Sequence, residues 1–135
     1  MKHYAHVIAT MFAFLIFGLF SSIAHSHEMV PTYPKLEPSI MGENLVTTTM
    51  TMFNKRPEVE FYEFAVFDKD WSPIPFVSKY KIWKIPYLST VTVEIYMHRS
   101  VAKDALYICS RSKLRKIDLT RTAVSSRICS KIVEK

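Results

Sequence analysis

The stretch Asp104–Cys109, read as DALYIC, decides the fold that the sequence predicts, together with the second cysteine, Cys129. Its apolar residues Leu106 and Ile108 alternate with residues that point to the opposite side, as the two-residue period of a β-strand requires. A second alternating run, from Thr122 to Ile132, carries Cys129. The two runs are therefore predicted to be antiparallel neighbours joined by a disulfide bond.

Other stretches of the chain repeat this pattern. Leu45–Phe53 is rich in β-branched residues and predicts a half-buried strand, and Val59–Asp68 is apolar on both sides, as in a central strand. Ile74–Ile85 is interrupted by lysines, which is typical of a protected edge strand, and Ser89–Met97 alternates most cleanly of all. About seven short strands with polar turns and no amphipathic helix predict an all-β, antiparallel sandwich. We expect its core to contain Val46, Met50, Phe64, Val66, Val91, Val93, Ile95, Leu106, Ile108, Val124 and Ile128.

The first residues are typical of a secretory signal peptide. Lys2 precedes the apolar run Val7–Phe20, and small residues follow it. Cleavage after Ala24 or after Ser26 fits this pattern, and an uncleaved membrane anchor is the alternative, although a span needs about 20 apolar residues. Taking the later cut, residues 1–26 form a signal helix and residues 27–135 one domain. The protein is then secreted or periplasmic, and its two cysteines form one disulfide rather than two free thiols.

The net charge of +6 is concentrated in the last third, where Arg99–Lys135 contains ten Lys/Arg and three Asp/Glu. This excess indicates contact with an envelope protein or an anionic surface, without nucleic acid, and with membrane contact only through the signal segment or the basic loop. A solvated loop is the alternative. Exposed aromatic residues are the other natural contact groups, unless they pack in the core. The predicted partner-binding residues are Arg111, Lys113, Arg115, Lys116, Trp71 and Trp83.

Motifs for catalysis are absent from the sequence. It contains no G-x-S-x-G, no H-E-x-x-H and no glycine-rich phosphate loop, so we predict neither an enzyme nor a cofactor. One metal hypothesis is open. If cleavage follows Ser26, the new α-amine and the imidazole of His27 form a Cu(II) chelate that His98 would complete, and cleavage after Ala24 leaves a similar amine–imidazole pair at His25. Incidental histidines near a cleavage site are the alternative.

Three resemblances follow from these residues. Ala105–Cys109 resembles the immunoglobulin strand that carries Ala-x-Tyr-x-Cys, although no cysteine precedes Cys109. The signal peptide, the Thr-rich strand and the bend before the alternating strand (Pro86–Met97) resemble the N-terminal immunoglobulin-like domain of periplasmic pilus chaperones. That likeness implies subunit capture by strand addition and a basic cleft pair, which has no matching motif here. The whole chain is similar to small signal-bearing proteins of tailed phages of marine bacteria, a likeness that implies a provenance but no activity.

Together these features predict an immunoglobulin-like sandwich that acts as an exported, non-catalytic binding or structural module in the cell envelope. It would work through its aromatic and basic surface groups. A periplasmic copper-binding protein with a histidine at its mature N-terminus is one alternative function. A chaperone-like protein that binds by strand addition is the other.

Overall fold

The computed structural model describes residues 26–114 and 124–133 of the 135-residue chain. In these ranges the chain forms nine strands and one short helix. In chain order they are β1 (Glu28–Val30), β2 (Glu37–Pro38), β3 (Leu45–Phe53), β4 (Phe61–Phe67), β5 (Pro73–Ile74), β6 (Ile82–Lys84), β7 (Thr90–His98), α1 (Arg99–Ala102), β8 (Tyr107–Lys113) and β9 (Arg127–Lys131).

Two antiparallel sheets pack face to face, which confirms the predicted β-sandwich. The first sheet is built on β3, which pairs with β7 along its whole length, from Leu45 opposite His98 to Phe53 opposite Thr90. The short strands β1 and β2 follow one another along the other edge of β3. In the second sheet β4 lies between β8 on one side and β5 and β6 on the other, and β9 continues the sheet beyond β8.

The hydrophobic core lies between the sheets and is made by the inward residues of the alternating strands. Six of the predicted core residues are buried, namely Met50, Phe64, Val66, Val93, Ile95 and Ile108. Val46, Val91 and Ile128 are partly buried against them. Val124 is a correction, because its side chain is 69% exposed. It precedes β9, which begins at Arg127 rather than at the predicted Thr122, and residues 115–123 lie outside the described ranges.

The predicted disulfide is confirmed. Cys109 on β8 lies directly opposite Cys129 on β9, and a bond joins their sulfur atoms across 20 residues of sequence. Their β4 neighbour is Ala65, which alternates with the inward-facing Phe64 and Val66, so the bond lies on the side of the second sheet away from the core. A disulfide that joins two regular strands indicates an oxidising environment outside the cytoplasm.

Two segments differ from their predicted form. The Ile74–Ile85 stretch is divided into β5 and β6, and the chain between them leaves the second sheet. The predicted polar connection after β7 contains α1, whose first turn is capped by the His98 side chain, which accepts from the Ser100 N–H. Residues 1–25 of the predicted signal segment, which ends at Ser26, lie outside the described ranges. None of the helices in the described part is long and apolar enough to cross a membrane.

Candidate functional site

The sandwich has two long sides, and the first is held together by backbone hydrogen bonds. Beyond β1 the chain runs beside β9, where the N–H of Lys131 donates to the carbonyl of Thr32 (3.1 Å). Next to it the N–H of Val133 donates to the carbonyl of Pro34 (3.0 Å). These bonds connect the first sheet to the second, and we call this side the closed seam.

The opposite side lies between the outer edge of β7 and residues 75–83, and we call it the open seam. Here the chain leaves β5 and returns to β6 by way of the first sheet. It pairs with β7 at one isolated bridge, in which the N–H of Val77 donates to the Tyr96 carbonyl (2.8 Å) and the N–H of Tyr96 to the Val77 carbonyl (2.9 Å). Within the described ranges, residues 75–83 are therefore hydrogen-bonded to β7 at one position only.

Elsewhere along the β7 edge, backbone groups have no partner among the described residues. In an antiparallel strand both polar groups of a residue point to the same side, and the side alternates along the strand. Tyr96 points both groups outward to Val77, so Thr92 and Glu94 also point theirs away from β3. Neither residue has a backbone partner on that side within residues 26–114 and 124–133.

An apolar groove of about 980 Å³ follows this edge. The outer residues of β7 form one side of it, and residues 75–79 the other. The residues that line it include the charged residues Glu94 and Lys79. The groove is lined by Met41, Leu45, Pro75, Phe76, Val77, Ser78, Lys79, Trp83, Thr92, Glu94, Tyr96, Met97, His98 and Val101.

Trp83, a predicted contact residue, is part of the groove wall. It lies opposite the buried Tyr62 in the β4–β6 pair and therefore faces the interior of the sandwich. The Tyr80 ring meets its indole edge-on at 5.0 Å, which fixes the indole orientation. The indole N–H is inaccessible to solvent and has no hydrogen-bond partner in the described part of the chain.

Trp71, the other predicted aromatic contact, lies on the outer face of the second sheet and does not line the groove. Half of its surface is exposed, and its indole stacks flat on the Tyr107 ring at 4.6 Å. The residue has a positive φ of 61°, which is rare for a bulky side chain. Asp68 stabilises this turn, because its carboxylate accepts from the N–H groups of Asp70 and Ser72.

The predicted basic residues are only partly described. Arg111 and Lys113 on β8 both form ion pairs with Glu63 of β4. Burial alone raises the pKa of the Glu63 carboxyl, but hydrogen bonds from Lys113 and Arg111, with their positive charges, outweigh it and leave that pKa below its ordinary value. These two cations are thus neutralised within the sheet. Arg115 and Lys116 lie outside the described residues.

His27 does not form a metal site with His98. Its imidazole is buried, with Nε2 2.7 Å from the Ser110 hydroxyl and Nδ1 3.2 Å from the Ser126 hydroxyl. It precedes β1 at the Phe53–Thr90 end of the first sheet, whereas His98 ends β7 eight residues away, about 27 Å at the rise of a strand. The described residues contain no cluster of three or more metal-ligating side chains. The geometry gives the copper hypothesis no support.

The buried surroundings of His27 are polar, which sequence reasoning missed. Arg56 is 4% exposed; it donates to the carboxylate of Glu58 (2.6 Å) and to the Ser126 hydroxyl (3.0 Å). Asn54 is fully buried and accepts from the Tyr62 hydroxyl at 2.6 Å and from the Arg56 backbone N–H at 2.8 Å. Burial raises the pKa of Tyr62 to about 12, so this hydroxyl stays protonated. We call the connected side chains of this region the polar network: His27, Asn54, Arg56, Glu58, Tyr62, Ser110 and Ser126.

The Asn54 amide completes the polar network by donating to the carbonyls of Val59 (2.7 Å) and Ile85 (2.8 Å). Ser110 is fully buried beside His27, whereas Glu58 and Ser126 at the edge of the network are partly exposed. The Ser110–His27 pair resembles the contact between a nucleophile and its base, but both residues are buried in the described part of the chain. The network therefore supports the fold.

Comparison with known proteins identifies no relative by sequence, since no family model and no curated protein matches the chain. A solved structure, the FixG-related protein from Vibrio parahaemolyticus, aligns with 82% of this chain and 95% of its own. The two chains are 11% identical, and the TM-score is 0.43. A likeness at that level identifies neither a family nor an activity.

Proposed function

We propose that this protein is an exported, non-catalytic binding module that accepts an extended segment of another protein as an extra strand beside β7. The observation that supports this function is the pair of outward, unpaired backbone positions at Thr92 and Glu94 next to an apolar groove. In strand addition, main-chain hydrogen bonds supply affinity and side-chain pockets supply specificity. The open seam offers both, and the bridge at Tyr96 is a pairing of the same kind within the chain.

The composition of β7 favours this use. Proteins protect exposed edge strands with lysine, proline, bulges or short length, because an unprotected edge pairs with other chains. β7 is nine residues long, reads TVTVEIYMH, and contains neither lysine nor proline. It pairs with β3 without a break in register, so it has no bulge that would twist its edge away. The bridge to Val77 covers this edge at Tyr96, and the remaining outward positions of a strand of this length are expected to bind an added strand.

The expected occupant is a segment in which apolar residues alternate with polar ones. Its apolar side chains would enter the groove near Phe76 and Trp83, and the alternate side chains would face water. A second copy of this chain fits less well. Antiparallel pairing of two β7 strands through Thr92 and Glu94 would bring the two Glu94 carboxylates to diagonal positions about 7–8 Å apart, where they repel.

Export to the cell envelope is the second part of the proposal. It rests on the disulfide between Cys109 and Cys129, which is stable in an oxidising compartment. The apolar run near the chain start is the segment that would direct the protein there.

Hydrogen exchange together with peptide binding tests the strand-addition proposal. The probes are nine-residue peptides with alternating apolar and polar residues, compared with scrambled peptides of the same composition. In the free protein the amides of Thr92 and Glu94 should exchange fast, and those of Val93 and Ile95, which face β3, should exchange slowly. A bound alternating peptide should slow the first pair at least tenfold. Binding that leaves Thr92 and Glu94 fast would refute strand addition.

Glu94→Pro is the matching variant. Proline removes an N–H that has no hydrogen-bond partner in the described part of the chain, and edge strands tolerate it when that N–H faces outward. The variant should fold and lose at least tenfold in peptide affinity, measured by fluorescence polarisation. Glu94→Thr keeps the N–H and is the control, which should bind like the wild type. Equal loss in both variants would mean that the carboxylate, and not the backbone, is recognised.

A further inference from the structure

The outer face of the second sheet carries an aromatic cluster around Trp71. The indole stacks on the Tyr107 ring, with the two planes 2° apart and the ring centroids 4.6 Å apart. The Phe67 ring lies 5.7 Å from the indole and is tilted by 55° against it. Tyr107 thus covers one face of the indole, while half of the Trp71 surface is exposed. The exposed half therefore belongs mainly to the opposite face, which is a flat aromatic surface of fixed orientation.

The backbone places Trp71 in a conformation that suits glycine. Its φ of 61° lies in the left-handed region, which glycine enters freely and a bulky residue rarely does. The turn between β4 and β5 imposes this conformation, because the N–H of Trp71 donates to the Asp68 carbonyl (3.2 Å) and the N–H of Asp68 to the Ser72 carbonyl (3.0 Å). A turn that only connected the two strands would be less strained with glycine here. Strained residues are concentrated at binding sites, so the indole is a candidate contact group.

Two cations flank the cluster on the same face. Arg127 and Lys131 alternate with the central residues of β9 in the same way as Cys129, so both lie on the outer side of the sheet. The Arg127 guanidinium lies over the Phe67 ring, 5.6 Å from its centroid, and Lys131 is directly opposite Tyr107. Both residues are exposed, and neither forms an ion pair with another described residue.

The carboxylates near the cluster already have partners. That of Asp68 accepts from two backbone N–H groups of its own turn, and that of Asp70 lies 3.8 Å from the Lys69 ammonium. Further along the same face, Glu63 is bound to two cations. The exposed cations of β9 therefore give this face a surplus of positive charge, which is complementary to an anionic ligand.

We propose that this face is a second binding site, and that its ligand is an anionic polysaccharide. The C–H groups on one side of a sugar ring would pack on the electron-rich face of the Trp71 indole. A carboxylate or phosphate on the same polymer would pair with Arg127 and Lys131. Single-stranded nucleic acid fits less well, because successive bases stack on successive open rings, whereas here the indole and the guanidinium lie over the other two rings. The site is separate from β7 and does not depend on strand addition.

NMR spectroscopy tests the site in the intact protein, because the chain contains two tryptophans and hence two indole N–H signals. The probes are short fragments of polygalacturonate, alginate and hyaluronate, with neutral dextran as the control. At least one anionic fragment should shift the Trp71 signal and leave that of Trp83 in place, and dextran should shift neither. The alternating peptides used for strand addition should shift Trp83 and not Trp71, so the two proposals can fail separately.

Two NMR results would overturn the inference. One is that none of the three anionic polysaccharides shifts the Trp71 signal. The other is that single-stranded oligothymidylate shifts it at lower concentration than all three, because the ligand class would then be nucleic acid.

Substitutions on the outer face supply the second test, with affinity for the best fragment measured by isothermal titration calorimetry. Trp71→Gly relieves the strained turn and should lose at least tenfold in affinity, whereas Trp71→Tyr keeps an aromatic face and should stay closer to the wild type. Arg127→Gln and Lys131→Gln should each lose at least threefold. Lys81→Gln removes the same charge at an exposed position between β5 and β6 and should bind like the wild type. Unchanged affinity in Trp71→Gly, or an equal loss in Lys81→Gln and Lys131→Gln, would mean that net charge alone attracts the polymer and would overturn the inference.

Discussion

The two seams of the sandwich are closed by different chemistry. At the closed seam backbone hydrogen bonds connect the sheets, and the polar network fills the interior at the end where β1 begins. At the open seam, residues 26–114 and 124–133 form a single bridge, between Val77 and Tyr96, with an apolar groove beside it. Hydrogen-bonded groups without access to solvent hold a fold, whereas unpaired groups beside apolar surface are available to a partner. We therefore expect changes at the closed seam to affect stability, and changes at the open seam to affect binding.

The largest effect is expected at Asn54, because its buried amide makes four hydrogen bonds. Asn54→Ala should lower the free energy of unfolding by about 4 kcal/mol, since the Tyr62 hydroxyl, the Arg56 N–H and two carbonyls lose their partner at roughly 1–3 kcal/mol each. Urea unfolding at pH 7 measures the change. The control is Asn44→Ala at an exposed asparagine, which should stay within about 0.5 kcal/mol of the wild type. Similar values for the two variants would contradict the structural role of the network.

The disulfide is the next contribution in size. It closes 20 residues of chain between β8 and β9, so the double variant Cys109→Ser, Cys129→Ser should lose about 3 kcal/mol of stability. Reducing agent should destabilise the wild type by a similar amount and leave the variant unchanged. Since the bond lies in the second sheet, away from β7, peptide affinity below the melting midpoint should be unaffected. A wild type whose melting midpoint does not respond to reductant would contradict this contribution.

Acid should weaken the closed seam through His27. The unfolded chain takes up a proton at this residue below pH 6.5, whereas the folded protein does so only below about pH 4. The unfolded state binds more protons in that window, so stability falls as the pH is lowered, by at most about 1.4 kcal/mol per pH unit. Urea unfolding between pH 6.5 and pH 5 measures the slope with little interference from carboxylates. His27→Gln should flatten it, and an unchanged slope would rule out His27 as its source.

The sequence predicted those parts of the fold that depend on local alternation. The predicted strand Leu45–Phe53 has the bounds of β3, and Ser89–Met97 differs from β7 by one residue at each end. The pairing of Cys109 with Cys129 followed from the same alternation. Alternation reports which side of a strand is buried, and this property is the same for an edge strand and a central one. The edge position of β7, and with it the groove, is set by the order of the strands and was not predicted.

The candidate site residues also divide into those that the local sequence predicted and those that depend on distant contacts. Trp83 was chosen because aromatic residues are common at interfaces, and it lines the groove. Arg111 and Lys113 were chosen for their charge, but both form ion pairs with Glu63, which lies about 50 positions away in the sequence. The burial of Asn54 and Arg56 depends on packing between distant strands. Polar residues in a connection have no local pattern that marks them as buried.

The smallest effect is expected at the bridge of the open seam. Val77→Pro removes the N–H that donates to Tyr96, an exposed hydrogen bond whose loss should cost about 1 kcal/mol relative to Val77→Ala, which keeps the N–H. The Tyr96 carbonyl then becomes available to an added strand, so alternating peptides should bind Val77→Pro at least as tightly as Val77→Ala. Urea unfolding and fluorescence polarisation measure the two quantities. A loss of stability as large as that of Asn54→Ala would mean that the open seam stabilises the fold as much as the closed seam does. Weaker peptide binding would mean that residues 75–79 must be bound to β7 before the groove can accept a strand.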